Sequence, residues 1–345
     1  MPKDAVWEWL EAYGMMRADP GKVHDGDYHV AYTHVGEKLE RQLPRRELDD
    51  LLARIASDLS KPAKLFQTGS GWAALELMRL GRQDNFDGEA AIFGRGSLSA
   101  EQEPWIELLE KGTFPDRKAD QTPAAFHTQK EWIDMLEKAV NNGSGNWHAL
   151  LHLGIMYSAH QQYDKARLAF NRSLEKTPNA WAKRNLAALS STEAASAEAD
   201  NNKEKATAKR KEAAALMKEA AALLPIKPIM IEYAKALSDA GMFAEYVTLF
   251  DNLPEEYRGH GRLRLLRAKA AAMTDDFDLG IKILTGGIEV VDLAEGETSL
   301  TDLWITLHAR KIAKAVGIPV DDDLKTRALA EYPIPPELDF QNTST

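Results

Sequence analysis

Two histidines four residues apart, His148 and His152, are the first residues to weigh. On a helix that spacing puts both rings on one face, where they could share a metal ion. The run is H-A-L-L-H and lacks the glutamate of a zinc-hydrolase helix, so groove or surface histidines are expected and no metal. A second stretch is richer in unusual residues: Gly69, Ser70, Gly71 and Trp72, followed by Glu76. It has neither the G-x-S-x-G spacing of a nucleophile elbow nor the G-K-[ST] of a phosphate loop. It offers a helix start, with Thr68 or Ser70 as cap and backbone N–H groups beside an aromatic ring and a carboxylate. Ser70, Gly71 and Trp72 are therefore candidate contacts to a ligand or a partner domain. A tryptophan among polar neighbours suits a sugar, and Glu76 is the candidate catalytic residue. Glu8, Glu11, Glu37 and Glu40 are further acids. Paired acids cleave a glycosidic bond only when held ~5–9.5 Å apart across a cleft. With 53 acids in the chain, none selects itself as a pair. His34, in AYTHVGEKLE, is expected to be packed or solvated and not a general base.

Composition narrows the classes. Asp and Glu outnumber Lys and Arg by 53 to 43, a formal charge of −10, which speaks against nucleic acid as a partner. There is no cysteine, which removes disulfides and thiolate metal sites. No run reaches the ~18–20 apolar residues of a membrane span, and the N-terminus has no signal-type apolar core. A cytoplasmic chain with no cofactor and no membrane partner is expected.

These residues must be positioned by helices. Residues 1–128 read as an irregular helical region. Asp4 caps a first helix, VWEWLEAYG, with Val6, Trp7, Leu10 and Tyr13 on its apolar face. A loop, ADPGKVHDGD, follows, then helices over YHVAYTHVGEKLERQL and RRELDDLLARIASDL. Another helix opens near Gly71–Trp72. After the turn region DNFDGEAAIFGRGS, Ser99 with Gln102 spells a capping box for EQEPWIELLEKG. FPDRKADQTPAAF is a linker, and Thr128 with Glu131 spells a second capping box for QKEWIDMLEKAV.

Trp147–Ala180 resembles one tetratricopeptide repeat, a 34-residue helix–turn–helix unit. Leu150, Leu153, Gly154, Tyr157, Ala166, Phe170 and Pro178 carry the match. Gly154 and Ala166 are small where two helices cross, Leu153, Tyr157 and Phe170 fill the space, and Pro178 stops the second helix. Trp181 lies 34 residues after Trp147, while Ala166, Phe170 and Pro178 recur 47 residues on as Ala213, Met217 and Pro225. Thirteen inserted residues are therefore expected as a longer hairpin at about 192–212, with its tip at Asp200–Asn202. Ala234, Phe243 and Phe250 answer to Ala268, Phe277 and Leu284. The expected fold is an all-α, α-α superhelix, a tetratricopeptide-like solenoid of about four units over 129–287. An irregular helical region precedes it, and a cap over 288–345 contains a β-like run, IEVVDL, two helices and a non-helical YPIPPELDF. By this resemblance, His148, Leu151, Ile155, Ser158 and Ala159 line the concave binding groove, a surface suited to a peptide or helix from a protein partner.

The order of motifs carries a wider resemblance. WEWLEAYG, AYTHVGEKLERQLPR, TGSGWAALE, EQEPWIELLEKGTFP, the repeat, GRLRLLRAKAA, GETSLTDLWITLHARK and PPELDF together look like the C-terminal helical half of a family of large bacterial proteins. Those proteins begin with a mutarotase-like β domain of unknown function, similar to sandwiches in carbohydrate-active enzymes. The resemblance implies a non-catalytic interaction and scaffold module that docks a β-rich, carbohydrate-associated domain in cis or in trans. The alternative is an accessory half of a glycan-processing enzyme that contributes Trp72 and Glu76, with carbohydrate as the ligand.

Overall fold

The computed structural model describes residues 7–59, 67, 69–83, 92–291, 293 and 298–339. Among them the chain is all-helical, with no strand. Two compact units divide it, residues 1–106 and 107–345.

In the first unit the helices are α1 (Pro20–Val23), α2 (Tyr28–Gln42), α3 (Arg45–Leu59) and α4 (Gly71–Arg79), and α5 (Glu103–Lys111) begins there. The helix expected at VWEWLEAYG does not form over the described residues from Trp7 onward. Trp7, Trp9 and Tyr13 are exposed. A short segment with no surface to bury its apolar face has no means of offsetting the cost of helix nucleation. Asp4 and Val6 lie outside the described residues. The expected loop at 18–27 contains one helical turn, α1, capped by Asp19 through Gly21 N–H. Helix α2 has Asp27 as its cap and buries none of its residues.

The second unit is a sequential stack. It holds α6 (Lys130–Ala139), α7 (Trp147–Ala159), α8 (Tyr163–Lys176), α9 (Ala180–Ala199), α10 (Lys203–Leu223), α11 (Lys227–Asp239), α12 (Phe243–Asp251), α13 (Glu255–Arg258), α14 (Gly261–Met273), α15 (Phe277–Thr285), α16 (Ser299–Val316) and α17 (Asp322–Glu331). Helices pack in pairs, α7 with α8, α9 with α10, α11 with α12 and α14 with α15, and each pair packs on the next. One turn joins the helices within every pair. Two residues past the first helix, Gln161, Asn201, Gly241 and Asp275 have φ of 58°, 58°, 71° and 64°. The N–H of the next residue then closes back on the helix: Gln162 to Tyr157, Asn202 to Ala197, Met242 to Leu237 and Asp276 to Ala271. This is the Schellman closure, and it satisfies carbonyls the helix end would leave open.

The pairs cross where small residues permit. A Cβ on Gly154 would stand 2.4 Å from the Phe170 ring. Ala166, Ala234 and Ala268 have no exposed surface. The first helices of the first two pairs start alike, Asn146 accepting from Ala149 N–H and Asn179 from Ala182 N–H. This sets their offset at 33 residues, not 34, so Trp181 stands where His148 stands and not where Trp147 does. Helix α9 has 20 residues against 13 in α7, and α10 has 21 against 14 in α8. The long hairpin thus carries fourteen extra residues, about two turns per arm. Its turn is at Asp200–Asn202.

Beyond α15, Ile288–Val291 is not a strand. It crosses the start of α14 so closely that a Cβ on Gly261 would overlap Glu289 O at 1.7 Å. Helices α16 and α17 follow, and YPIPPELDF holds one 3-10 turn at Pro336–Leu338, with Leu338 buried among Leu300, Leu303 and Trp304. No helix among the described residues is long and apolar enough to cross a membrane.

Candidate functional site

The glycine stretch of the first unit opens α4 and is crowded by residues 92–102. Ser70 caps α4 by accepting from Trp72 N–H at 3.2 Å, while Thr68 lies outside the described residues. Gly69 and Gly71 are dictated by contact. A Cβ on Gly69 would stand 2.3 Å from the Phe93 ring, and one on Gly71 2.6 Å from Ser97 O and 2.7 Å from Gln102 Oε1. Gln102 is buried there and accepts from Ser99 N–H at 2.9 Å, one half of the expected capping box. Trp72 is half-buried. Glu76 takes Arg79 in a forked pair, Nε at 2.9 Å and Nη2 at 2.5 Å. A forked pair with a guanidinium fixes the carboxylate in place, which suits a structural role. His34 accepts from Asp19 N–H at 3.3 Å and Glu40 from Arg45 N–H at 3.1 Å, both local ties.

The face of α7 is built differently. Ten of its thirteen residues are buried, from Trp147 to Tyr157 excepting Ile155. A helix buried all round needs cover on every side. The cover on one side is the linker. Residues 113–129 hold no regular structure and form a strap across α7 and α9. Side chains of the two helices read its backbone. Asn146 Nδ2 donates to Phe114 O at 2.8 Å, Trp147 Nε1 to Arg117 O at 2.7 Å and Trp181 Nε1 to Ala119 O at 3.2 Å. His148 Nδ1 meets Pro115 O at 2.9 Å, and Ala124 N–H meets His148 Nε2 at 3.1 Å. At the far end His160 Nε2 meets Thr128 O at 2.7 Å. Thr128 therefore faces α7 and does not cap α6, whose start at Gln129 has no side-chain cap.

His148 is thus not an open groove position. The ring is fully buried under the strap, packed on Phe114 with centroids 5.0 Å apart. Its Nε2 lies 3.1 Å from His152 Nε2. Burial pushes His148 down to about 4 and His152 well below the usual histidine range, so both rings are neutral. Among the described residues no group of three or more His, Cys, Asp or Glu is arranged to hold a metal.

Leu151, Ile155, Ser158 and Ala159 are brought together. They line a cavity of about 520 Å³ with Trp181, Arg184 and Asn185 of α9 and with Thr122, Pro123, Ala124, Phe126 and Thr128 of the strap. The Phe126 side chain is exposed at its rim. Past Arg184 a smaller cavity of about 200 Å³ continues along Ala188, Ser191, Glu232, Lys235 and Asp239. Arg184 stands between the two, paired to Glu232 through Nε at 2.6 Å and Nη2 at 2.7 Å. The tetratricopeptide resemblance named the α7 residues that line this cavity. It missed Trp181, Arg184 and the strap, because the strap lies up to 62 residues from its contacts and the 34-residue alignment misplaced α9 by one position.

Comparison with protein-family models, with curated proteins and with solved structures finds no match to this chain.

Proposed function

We propose that the chain is a non-catalytic protein–protein interaction and scaffold module, a tetratricopeptide-like α-α superhelix that works in the bacterial cytoplasm. Its inner face takes extended polypeptide, and the partner it docks, in cis or in trans, is a β-rich, carbohydrate-associated domain. The observation that carries the reading is the strap. A stretch of this chain already lies across α7 and α9 with four carbonyls read by Asn146, Trp147, His148 and Trp181. Recognition through main-chain groups is how an extended segment is held whatever its sequence, while a neighbouring apolar cavity selects a side chain. The fourfold turn at Gln161, Asn201, Gly241 and Asp275 supports a repeated unit beneath the weak sequence match. The enzymatic alternative has no comparable support, with Glu76 engaged by Arg79.

The test is selection of a displayed library of short linear peptides on the immobilised full chain, with the Ile155→Arg variant in parallel. Peptides with a large apolar residue are expected to enrich and to lose about tenfold or more in affinity on the variant, roughly 1.4 kcal/mol. No enrichment, or enrichment indifferent to the variant, would overturn the groove. Titration with a separately expressed mutarotase-like β-sandwich domain tests the partner itself.

A further inference from the structure

We propose that the strap is an acid-sensitive latch over the groove: protonation of His148 releases its distal half, Gln121–Phe126, while the proximal half stays in place. The regulatory meaning of this latch rests on the interaction reading above, but the latch itself does not need a partner to be seen.

One ring holds the strap at two points nine residues apart, Pro115 O and Ala124 N–H. Its hydrogen positions follow from those contacts. A carbonyl oxygen only accepts, so Nδ1 carries the hydrogen and donates to Pro115. A backbone N–H only donates, so Nε2 presents its lone pair to Ala124. His152 Nε2, 3.1 Å from the same atom, must donate to it as well. The acid-sensitive atom is therefore His148 Nε2, which receives two donors and gives none. A proton added there faces Ala124 N–H head on, and that amide loses its acceptor, because a backbone N–H, unlike the His152 ring, cannot change from donor to acceptor. The other strap contacts do not titrate in this sense. Asn146, Trp147 and Trp181 donate to Phe114, Arg117 and Ala119, and protonated His148 still donates to Pro115. The charged groups facing the ring are Asp116 and Arg117 of the strap, which act in opposite senses, and the titratable neighbour on α7 is His152. His160, at the Thr128 end, donates from Nε2 to a carbonyl oxygen.

What the latch uncovers is specific. Thr122, Pro123, Ala124 and Phe126 roof the 520 Å³ cavity over Leu151 and Ile155. Losing the Ala124 contact takes away the one tie of that roof that a proton on His148 can break, while ties such as the Arg117 Nη1 bond to Thr122 O, His127 packed on Trp132 and the Thr128 end remain. Acid thus widens the apolar cavity and leaves the proximal strap seated on α7 and α9.

Amide hydrogen exchange of the full chain near pH 7.5 and near pH 5, corrected for intrinsic chemistry, tests this. Amides from Thr122 to His127 are expected to exchange about tenfold or more faster in acid, with Arg117–Ala119 and α7 unchanged. His148→Gln, whose side-chain carbonyl accepts from Ala124 without titrating, should abolish the acid response. Where that variant fails to fold, Ala124→Pro removes the N–H, with its ring also fixing φ, and should open the neighbouring amides at neutral pH, with no further change in acid. Equal protection at both pH values in the native chain would overturn the latch. So would loss of α7 protection together with the strap, or an acid response surviving in either variant. A peptide selection that returns nothing leaves these exchange patterns intact, so the two readings fail separately.

Discussion

The two most chemical-looking stretches, 69–76 and 148–159, satisfy their polar groups over different distances. At the first, Ser70 reaches two residues on and Glu76 reaches three. At the second, Asn146, Trp147, His148 and Trp181 reach 30 to 62 residues back to the strap. The cap and the ion pair of the first stretch close within α4 and its cap. A helix face whose donors need carbonyls from elsewhere takes them from whichever extended chain is nearest, and here that is the linker. The contrast separates a stretch that looks special because its backbone is crowded from a face that is special because it is incomplete alone.

Removing the anchor of the strap should break the comparison most sharply. Phe114 is 2% exposed and packs on both His148 and His152. Phe114→Ala should cost about 3–5 kcal/mol in urea unfolding of the full chain. A loss below about 1 kcal/mol would mean that the strap is an ornament on α7 and not part of its core. A smaller effect comes from acid. His148 has a folded-state value of about 4 against 6.5 for a free histidine, so the unfolded chain takes up the proton first. Stability from this group is whole above pH 6.5 and is lost as pH falls from about 6.5 to about 4, on the order of 3 kcal/mol in all. His152 adds in the same direction. The difference in unfolding free energy between the native chain and His148→Gln isolates this from the carboxylates. It should shrink by that amount over the window and be flat above pH 7.

The helices of the second unit were legible because their signals are periodic and local. Gly154 with Phe170, and Ala166, Ala234 and Ala268, stand in the sequence at helix-crossing intervals, and they pack as such. The strap was not legible. FPDRKADQTPAAF has the composition of a linker, and nothing in it announces that its carbonyls will be read by Trp147 and Trp181. The shared turn was hidden for another reason. Left-handed backbone is met by Gln161, Asn201, Gly241 and Asp275, four residue types that align only once the geometry is known. Trp7–Tyr13 misled in the opposite sense, with helical spacing but no surface to bury against.

The smallest effect belongs to Glu76, and it decides between the two kinds of site. The pair with Arg79 lies on one helix face at a spacing of three, with both side chains about a fifth exposed. Such pairs contribute about 0.3–1 kcal/mol, more when desolvated on one side. Glu76→Gln keeps one acceptor for Arg79 and should lower the unfolding free energy by about 0.5 kcal/mol. If the carboxylate is structural, any glycan-processing activity measured with an added β-rich domain should change by less than about twofold. Loss of two or more orders of magnitude at that near-native stability, roughly 3 kcal/mol or more in the barrier, would make the 69–76 stretch the working site. The strap-covered face would then be the part that only holds the fold.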